Sequence, residues 1–394
     1  MKHPLLHSTI QDFITSHIGV DFAKLALQKN PFPEENWIDI INQIISKTKA
    51  KDKLPTFFST QNLLYPNPIS IEQTSSEKTA HYKSEIVNGK SLIDLTGGFG
   101  VDAYYFAKKI DTVVHCEMNE ELSKIVEHNF KILDQQNVTF YSEDSNLVLS
   151  KLNNRFDWIF IDPSRRNNSK GKVFMLKDCL PNVPDSLDFY FNFTNAILLK
   201  TAPILDLTAG LLELSYVKKI HIVAVENEVK ELLWEIEKNY FGSPLIKTVN
   251  LSKNGSSYVD FVFDTETNSN FSMPKKFLYE PNSAIMKSGL TAKICSLYNV
   301  EKLHLHSHLF TSSNLISFPG RIFTIEKVIR YDNQSMKSFL ANKKANVTTR
   351  NFPETVEQIR KKWKITDGGD LYCFFTTNMK NDKIVIFCTK LNSL

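Results

Sequence analysis

The residues that could do chemistry in the first half of the chain share one pattern, in which short apolar runs end on an acidic residue. The first of these runs ends on Asp94, and a turn that contains Gly98 and Gly100 leads from it into a helical pattern. Glycines let the backbone turn sharply and approach a ligand closely, and the helix that follows presents free N–H groups. This arrangement predicts a nucleotide-cofactor site.

The acidic residues around the turn distinguish between two kinds of cofactor. The turn fits the dinucleotide pattern G-x-G-x-x-A, so its glycines favour neither kind. Asp94 and Asp102 flank the turn, and Glu117 ends the next apolar run. Two carboxylates beside a pyrophosphate would repel it, each by on the order of 1 kcal/mol or more at short range. S-adenosylmethionine (SAM) carries a sulfonium and an ammonium and no phosphate, so SAM is the predicted cofactor.

Two later apolar runs also end on acidic residues. Asp144 follows the run Val138–Tyr141, where its carboxylate could meet the amino group of an adenine. Asp162 follows the run 156–161 and begins the sequence Asp-Pro-Ser-Arg-Arg, which ends at Arg166. Four strands in succession are therefore predicted to end on an acid or on a cofactor turn.

This succession resembles the class I SAM-dependent methyltransferases over roughly residues 76–263. The resemblance implies that Asp94 anchors the methionine end of SAM, that Glu117 binds both ribose hydroxyls, and that Asp144 binds the adenine amino group. It also implies that Met118 or Phe99 packs on the adenine. Thr96 departs from the pattern, because many members have a glycine there. The full set of predicted cofactor-binding residues is Asp94, Thr96, Gly98, Phe99, Gly100, Asp102, Glu117, Met118 and Asp144.

Methyl transfer needs a positioned acceptor and a group that takes up one proton. Asp162 is the predicted catalytic residue, because the fourth motif of the family borders the acceptor pocket. Lys200, at the end of a later strand, is a second candidate that contacts substrate or pairs with Asp162. Arg165 and Arg166 are predicted to bind a phosphate or carboxylate of the substrate, although ion pairs that brace the loop explain them equally well.

The alternation of strands and helices predicts an α/β fold, a Rossmann-like seven-stranded doubly wound sheet with the ligand at the carboxyl ends of its strands. A helical segment, residues 1–75, precedes this domain, with helices predicted over 9–27 and from about Glu35. Ser75 or Ser76 caps the next helix, which runs to Val87. This helix could bring Glu77, Tyr82 or Lys83 to the methionine end of the cofactor, although helix capping alone explains the pattern equally well. The predicted domain spans 76–266 and includes a helix over 227–240 and strands over 219–225 and 257–263.

The composition excludes several classes of protein. Hydrophobic residues make up 42% and charged residues 23% of the 394 residues, which is ordinary for a globular protein. No stretch approaches the length of a membrane span and the N-terminus lacks a signal-peptide core, so we expect a cytoplasmic protein. Five scattered cysteines indicate neither a zinc site nor a set of disulfides. No metal is expected.

The C-terminal part of the chain is basic. Residues 275–394 hold 15 Lys and 4 Arg against 9 acidic residues, a charge of +10 in a chain whose total is +4. This asymmetry favours a polyanionic substrate, although a lysine-rich solvated surface would look the same. Arg360, Lys361 and Lys362 beside Trp363 form the strongest local candidate for nucleic-acid contact. The end of a helix whose cations offset its dipole is the alternative.

A second resemblance covers most of the chain. The stretches Tyr279–Gly289, Ser307–Ser312 and Phe318–Arg321, with Asp-Pro-Ser-Arg-Arg and Gln73–Ala80, are similar to a bacterial methyltransferase family. In that family a small ferredoxin-like segment and a THUMP-like domain follow the catalytic domain, here predicted as 275–320 and 321–394. The polar stretch 264–275 is the predicted linker. THUMP domains belong to RNA-modifying enzymes, so the resemblance implies an RNA substrate.

The three histidines His304, His306 and His308 would share one face if they lay on a strand. No ligand-like cysteine or acid accompanies them, so a solvated or RNA-facing surface is favoured over a metal site. Taken together, these features predict a SAM-dependent methyltransferase whose basic C-terminal module holds RNA. The alternatives are a methyltransferase of a small molecule or protein, and a non-catalytic RNA-binding protein that retains the fold.

Overall fold

The computed structural model describes residues 3–165, 175–253, 255–263 and 269–391. The chain forms two compact units. The first unit comprises Met1–Lys218 and Leu232–Gly242, and the second comprises Lys219–Glu231 and Ser243–Leu394. Among the residues that the structure describes, no helix combines the length and the apolar character needed to cross a membrane.

Five short helices precede the sheet of the first unit, and they are α1 (Ser8–Ser16), α2 (Phe22–Ala26), α3 (Trp37–Lys53), α4 (Pro55–Ser59) and α5 (Pro68–Gln73). Their apolar sides form one core that includes Ile14, Leu25 and Ile44. The predicted helix over 9–27 is interrupted, because Gly19 adopts a positive φ of 81° between α1 and α2. The helix predicted from about Glu35 is confirmed as α3, whose cap is Asn36.

Strands and helices then alternate. They are α6 (Glu77–Ile86), β1 (Ser91–Asp94), α7 (Val101–Ala107), β2 (Thr112–Cys116), α8 (Glu120–Ile132), β3 (Val138–Tyr141), α9 (Ser145–Leu152), β4 (Trp158–Ile161), β5 (Ser164–Arg165), β6 (Cys179–Leu180), α10 (Val183–Tyr190), β7 (Ala196–Thr201), α11 (Leu207–Glu213), β8 (Val217–Val225), β9 (Glu228–Glu237), β10 (Leu245–Leu251) and β11 (Ser257–Val262).

A parallel sheet forms the centre of the first unit. Its strands follow the order β3, β2, β1, β4, β7, and each pair of neighbours is parallel. The Leu232–Glu237 part of β9 pairs antiparallel with β7. Since parallel strands end at the same edge, β1, β2, β3 and β4 present Asp94, Glu117, Asp144 and Asp162 on one side of the sheet. The predicted Rossmann-like α/β fold is confirmed.

One predicted helix is wrong. Residues 227–240 form strand β9 instead, in which Leu232, Leu233 and Trp234 are all buried. Three consecutive buried residues need an element that is covered on both faces, which a strand inside a sheet provides and a surface helix does not. Strand β10 was not predicted. In the second unit it pairs parallel with β8 and antiparallel with β11.

The rest of the second unit is an α+β structure. Its elements are β12 (Phe277–Pro281), α12 (Ser283–Ser288), α13 (Ile294–Tyr298), β13 (Glu301–Lys302), β14 (Phe310–Ser312), β15 (Gly320–Arg330), α14 (Asn333–Phe339), β16 (Asn346–Arg350), α15 (Val356–Trp363), β17 (Leu371–Thr377) and β18 (Lys383–Leu391). The seven strands form one sheet in the order β13, β14, β12, β15, β18, β17, β16. Two apolar clusters line it, one around Phe323 and Phe374 and the other around Met336 and Trp363. Part of the predicted linker, residues 264–268, lies outside the described residues.

Candidate active site

The turn after β1 uses glycines where the backbone is left-handed or packs closely on its neighbours. Gly98 and Gly100 have positive φ angles of 53° and 75°. A Cβ atom on Gly97 would lie 2.3 Å from the ring of His115, and one on Gly100 would lie 2.7 Å from Val126. The turn therefore packs directly on the sheet and on α8 and leaves its outer side open to a ligand.

Asp94 and Thr96 connect this turn to the end of β4. The buried carboxylate of Asp94 accepts a hydrogen bond from the Thr96 backbone N–H at 2.9 Å. The Thr96 hydroxyl oxygen accepts one from the Asp162 backbone N–H at 2.7 Å. Thr96, which departs from the glycine usual in the family, thus places the predicted cofactor anchor beside the predicted catalytic residue.

Burial is the main influence on the Asp94 carboxyl. It raises the pKa of this group well above its usual value, and the nearby carboxylates Asp102 and Asp162 raise it further. The hydrogen bonds from Thr96 oppose this effect. A buried acid among other acids is costly to ionise unless a cation lies beside it. Burial among other acids therefore disfavours the ionised form of Asp94.

Glu117 orients the turn through its own side chain. One carboxylate oxygen accepts the Gly98 N–H at 3.0 Å, and the other accepts the Asn119 N–H at 2.8 Å. Each carboxylate oxygen has a second acceptor position, so Glu117 keeps the capacity to accept two ribose hydroxyls. The two backbone hydrogen bonds fix the orientation of this carboxylate.

The residues predicted around the adenine have different environments. Met118 is 75% exposed, next to Glu117. Phe99 is buried instead, and its ring packs 5.5 Å from that of Phe57 and 6.0 Å from that of Tyr65. The structure thus favours Met118 over Phe99 for the adenine. Asp144 is exposed and caps α9, where one oxygen accepts two backbone N–H groups at 3.0 and 3.1 Å.

Asp102 takes part in a buried ion pair. Lys83, on α6, is fully buried, and its Nζ lies 2.9 Å from Asp102 Oδ1. The Ser75 hydroxyl donates to the other Asp102 oxygen at 2.7 Å and accepts from Lys83 at 2.8 Å. The capping of α6 by Ser76 is confirmed. Sequence reasoning suggested Lys83 for the cofactor but did not identify its pairing with Asp102, because the partners are distant in sequence.

Lys200 forms an ion pair with Asp162, one of the two roles predicted for it. The Lys200 side chain is 13% exposed and that of Asp162 is 34% exposed. Arg165 follows in β5, whose backbone pairs with β6. The Arg165 side chain and the whole of Arg166 lie outside the described residues. Asp94, Asp102, Glu117, Asp144 and Asp162 are called the acidic edge below, and Lys83 and Lys200 are its two paired lysines.

The predicted nucleic-acid contacts on α15 need correction. Trp363 is buried in a core cluster, and its indole N–H donates to the Tyr331 hydroxyl at 3.2 Å. Arg360 forms an ion pair with Asp367, and Lys362 pairs with Glu354. An amphipathic helix must bury its largest apolar side chain, so the ring of Trp363 cannot stack on a base. Only Lys361 of this group is exposed without such a role.

The three histidines do not lie on a strand. Their segment is a turn between β13 and β14, and His304 accepts from or donates to Asn351 and Asn381 at 2.9 and 3.0 Å. His308 contacts Thr291 at 3.0 Å. In the part of the chain that the structure describes, no group of three or more His, Cys, Asp or Glu side chains could hold a metal ion.

Comparison with known proteins identifies the C-terminal domains. Residues 277–319 match the family model of a ferredoxin-like domain. Residues 320–390 match that of a THUMP-like domain. These two matches agree with the α+β structure of the second unit.

The whole chain is similar to a solved structure. A crystal structure of a "putative methyltransferase" from Porphyromonas gingivalis W83 is 28% identical, with a TM-score of 0.86 and 98% of each chain covered. This chain has a methyltransferase fold.

Two further known proteins are less similar and match only part of this chain. An uncharacterized RNA methyltransferase of Clostridium acetobutylicum is 26% identical over 161 residues, which are 37% of this chain and 35% of that relative. This chain thus matches about a third of the relative's length. A "putative methyltransferase" of Streptococcus mutans, solved in complex with SAH, is 11% identical and covers 41% of this chain and 96% of that one, with a TM-score of 0.31. That score is too low to bear on the cofactor.

Proposed function

We propose that this methyltransferase uses SAM as its methyl donor and acts on RNA. The observation that carries the SAM assignment is the acidic edge, where five carboxylates lie around a glycine turn and, among the residues that the structure describes, two lysines pair with Asp102 and Asp162. A surplus of carboxylates attracts the sulfonium and ammonium of SAM and repels the pyrophosphate of a dinucleotide. The buried Asp94 supports the same conclusion, because a cation beside it would restore its ionised form.

The residues of the turn fit SAM by their chemistry. Asp94 would accept the ammonium of the methionine end through the turn, and Glu117 would accept the two ribose hydroxyls. Gly98 and Gly100 allow the close approach, and the exposed Met118 would pack on the adenine. When bound, SAM would supply an electrophilic methyl group. The sulfonium and ammonium of SAM would lie beside the carboxylates of the acidic edge, and this pairing of opposite charges favours binding.

Asp162 and Lys200 would handle the proton of the acceptor. Asp162 lies at the end of β4 and its backbone is held by Thr96, so its carboxylate has a defined position. It would accept a hydrogen bond from the acceptor group and take its proton. Lys200 holds the Asp162 carboxylate in place through their ion pair. Both side chains are partly exposed, as a substrate contact requires.

Three features support RNA as the substrate. The C-terminal 120 residues carry a charge of +10, which suits a polyanion. Residues 320–390 are THUMP-like, and the partial relative from Clostridium acetobutylicum bears the name of an RNA methyltransferase. Each of these features is independent of the acidic edge, so the cofactor and the substrate can be tested separately.

Calorimetry with SAM tests the cofactor. We expect micromolar to submillimolar binding by the wild-type chain and loss of binding by Asp94→Asn, while Asp134→Asn, a change on the surface, binds normally. Absence of binding at millimolar SAM would favour a non-catalytic protein.

Transfer of labelled methyl groups tests the substrate. RNA from a strain that lacks the gene is incubated with the protein and labelled SAM, and the nucleosides are then analysed. We expect label in one modified nucleoside and none with Asp162→Asn. Label found only in protein or in small molecules would end the RNA proposal.

A further inference from the structure

A buried carboxylate in the second unit holds two arginines. Glu280 lies on β12 and is only 3% exposed. Arg321 is its direct partner on the neighbouring strand β15, and its Nε donates to Glu280 Oε2 at 2.6 Å. Arg350, at the end of β16, places one Nη 2.7 Å from Glu280 Oε1. These three residues, from three strands, are called the arginine pair and its carboxylate.

The cluster has more positive charge than its own pairing needs. One carboxylate neutralises one guanidinium group, so the second contributes a net positive charge. The side chains of Arg321 and Arg350 are 36% and 37% exposed, whereas that of Glu280 is 4% exposed. The carboxylate thus faces the interior, and the surplus charge is accessible from solvent.

Both guanidinium groups are held in fixed orientations. Arg321 lies over the rings of Phe323 and Phe374, with its guanidinium carbon 5.5 and 5.9 Å from their centroids. Arg350 also donates to the Thr349 carbonyl oxygen at 3.2 Å. Its Nε is buried and makes no hydrogen bond to any residue that the structure describes. An arginine has five N–H donors, so each keeps donors for a ligand.

The surroundings are positive as well. Burial lowers the pKa of His308, and Lys302, Arg350 and His306 lower it further. The pKa of a histidine falls when nearby positive charges make its protonated form less favourable. Because Glu280 carries one negative charge for two arginines, the local potential stays positive and favours an external anion.

We propose that Arg321 and Arg350 bind one phosphate group of the RNA substrate, with Glu280 holding their geometry. This proposal rests on the proposed function, because it identifies where the second unit contacts RNA. Two forked guanidinium groups match the oxygens of a phosphate, which they can bind through parallel hydrogen bonds. The charge of +10 on residues 275–394 favours a polyanion over a single protein carboxylate.

Binding of the full-length chain to fluorescently labelled bulk tRNA, followed by anisotropy over a series of salt concentrations, tests the proposal. For Arg350→Gln we expect an affinity about tenfold lower, and a dependence of log K on log salt that is smaller by about one unit. The control is Lys337→Gln, which removes the same charge from the exposed side of α14. It should change the affinity less than about twofold.

Glu280→Gln tests the role of the carboxylate. Each of its two oxygens lies beside a different arginine, so the amide turns an N–H donor toward one of them, and we expect a tRNA affinity between those of Arg350→Gln and the wild type. If the cluster only supported the fold, a folded Arg350→Gln would bind tRNA like the wild type, and that result would overturn the proposal. If Arg350→Gln does not fold by circular dichroism, Arg350→Lys replaces it. That variant keeps the charge and loses the fork, and wild-type affinity in it would overturn the proposal.

The outcomes separate this proposal from the proposed function. Equal affinities for Arg350→Gln and Lys337→Gln would overturn the phosphate site, while methyl transfer to RNA by the wild type would keep the proposed function. A wild-type chain that binds no RNA at low salt would overturn both. Methyl transfer to RNA with a selective loss for Arg350→Gln would support both.

Discussion

The acidic edge of the first unit and the arginine pair of the second use ion pairs in opposite proportions. Among the residues that the structure describes, five carboxylates of the acidic edge are accompanied by two lysines, and in the second unit one carboxylate is accompanied by two arginines. The lysines hold Asp102 and Asp162, backbone N–H groups hold the other three carboxylates, and Glu280 holds both arginines. The majority charge is the basis of the two proposed ligands, a cation in the first unit and an anion in the second.

Burial differs between the two regions in a way that matters for function. In the first unit Asp94 and Lys83 are buried, so desolvation of their charges costs free energy. These two charges interact with their neighbours at a low effective dielectric constant. In the second unit the carboxylate is buried and the arginines reach solvent. A small enclosed ligand fits the first arrangement, and a large polyanion that stays mostly in solvent fits the second.

The largest expected effect concerns the buried pair of Lys83 and Asp102. Replacing Lys83 with Met leaves a nearly buried carboxylate without its cation, which lowers the free energy of unfolding by about 3–5 kcal/mol. Urea unfolding measures this loss. The control Lys124→Met removes an exposed lysine that pairs with Glu120, where about 0.5 kcal/mol or less is expected. Equal losses in the two variants would mean that the pair is not structurally important.

Asp94→Asn should have opposite effects on cofactor and stability. The asparagine oxygen still accepts from the Thr96 N–H, but the charge for SAM is gone, so the affinity for SAM should fall about 100-fold or more. The melting temperature of the protein without SAM should rise at pH 7. Calorimetry and thermal unfolding check the two results, and a lower melting temperature would contradict the role of burial.

The pH dependence follows from the same carboxyl. The pKa of Asp94 is raised in the folded state, so the native protein binds this proton more tightly than the unfolded chain does. Stability without SAM therefore falls as the pH rises from about 4, the usual value for an aspartate, through the raised pKa. SAM affinity increases over the same interval, because the ionised form binds the cation. Both changes should be absent in Asp94→Asn.

Glu117→Gln should have a smaller effect. The amide oxygen can still accept the Gly98 N–H, but the amide NH2 group cannot accept the Asn119 N–H, and the charge-assisted bonds to ribose are weakened. We expect SAM affinity to fall about tenfold. Glu121→Gln, four residues further along the chain in the exposed first turn of α8, is the control and should bind SAM normally. RNA affinity should be unchanged in both variants, since neither residue belongs to the arginine pair.

The smallest effect is expected on α15. Lys361 is exposed, but the rest of its predicted group is paired or buried. Lys361→Gln should therefore lower tRNA affinity less than about twofold, against about tenfold for Arg350→Gln. Anisotropy under the same salt conditions compares the two. A larger loss for Lys361→Gln would move the RNA contact from the arginine pair to this helix.

The parts of the methyltransferase site that follow one another in sequence were predictable. A glycine turn after an apolar run, and acids at the ends of successive strands, are local patterns whose geometry is set by the parallel sheet. The error over 227–240 arose because apolar residues in a short stretch are compatible with a helix or a strand. Only the neighbouring β7, which pairs with β9 and is far away in sequence, decides between them.

The predicted RNA contacts show the same limit in the second unit. A tryptophan beside three basic residues suggests nucleic-acid binding only if the ring is exposed. The position of Trp363 on the buried side of α15 depends on the sheet against which the helix packs. The arginine pair, by contrast, gave no local pattern, because its members lie on three strands.

The sequence by itself determined which acids end the successive strands, and this pattern is the basis of the proposed cationic cofactor. The tertiary structure alone decided which charges are paired. Lys83 with Asp102, Lys200 with Asp162, and both arginines with Glu280 are contacts between residues far apart in the chain. Coulomb interactions depend on distance in space and on burial, and neither can be read from distance along the chain.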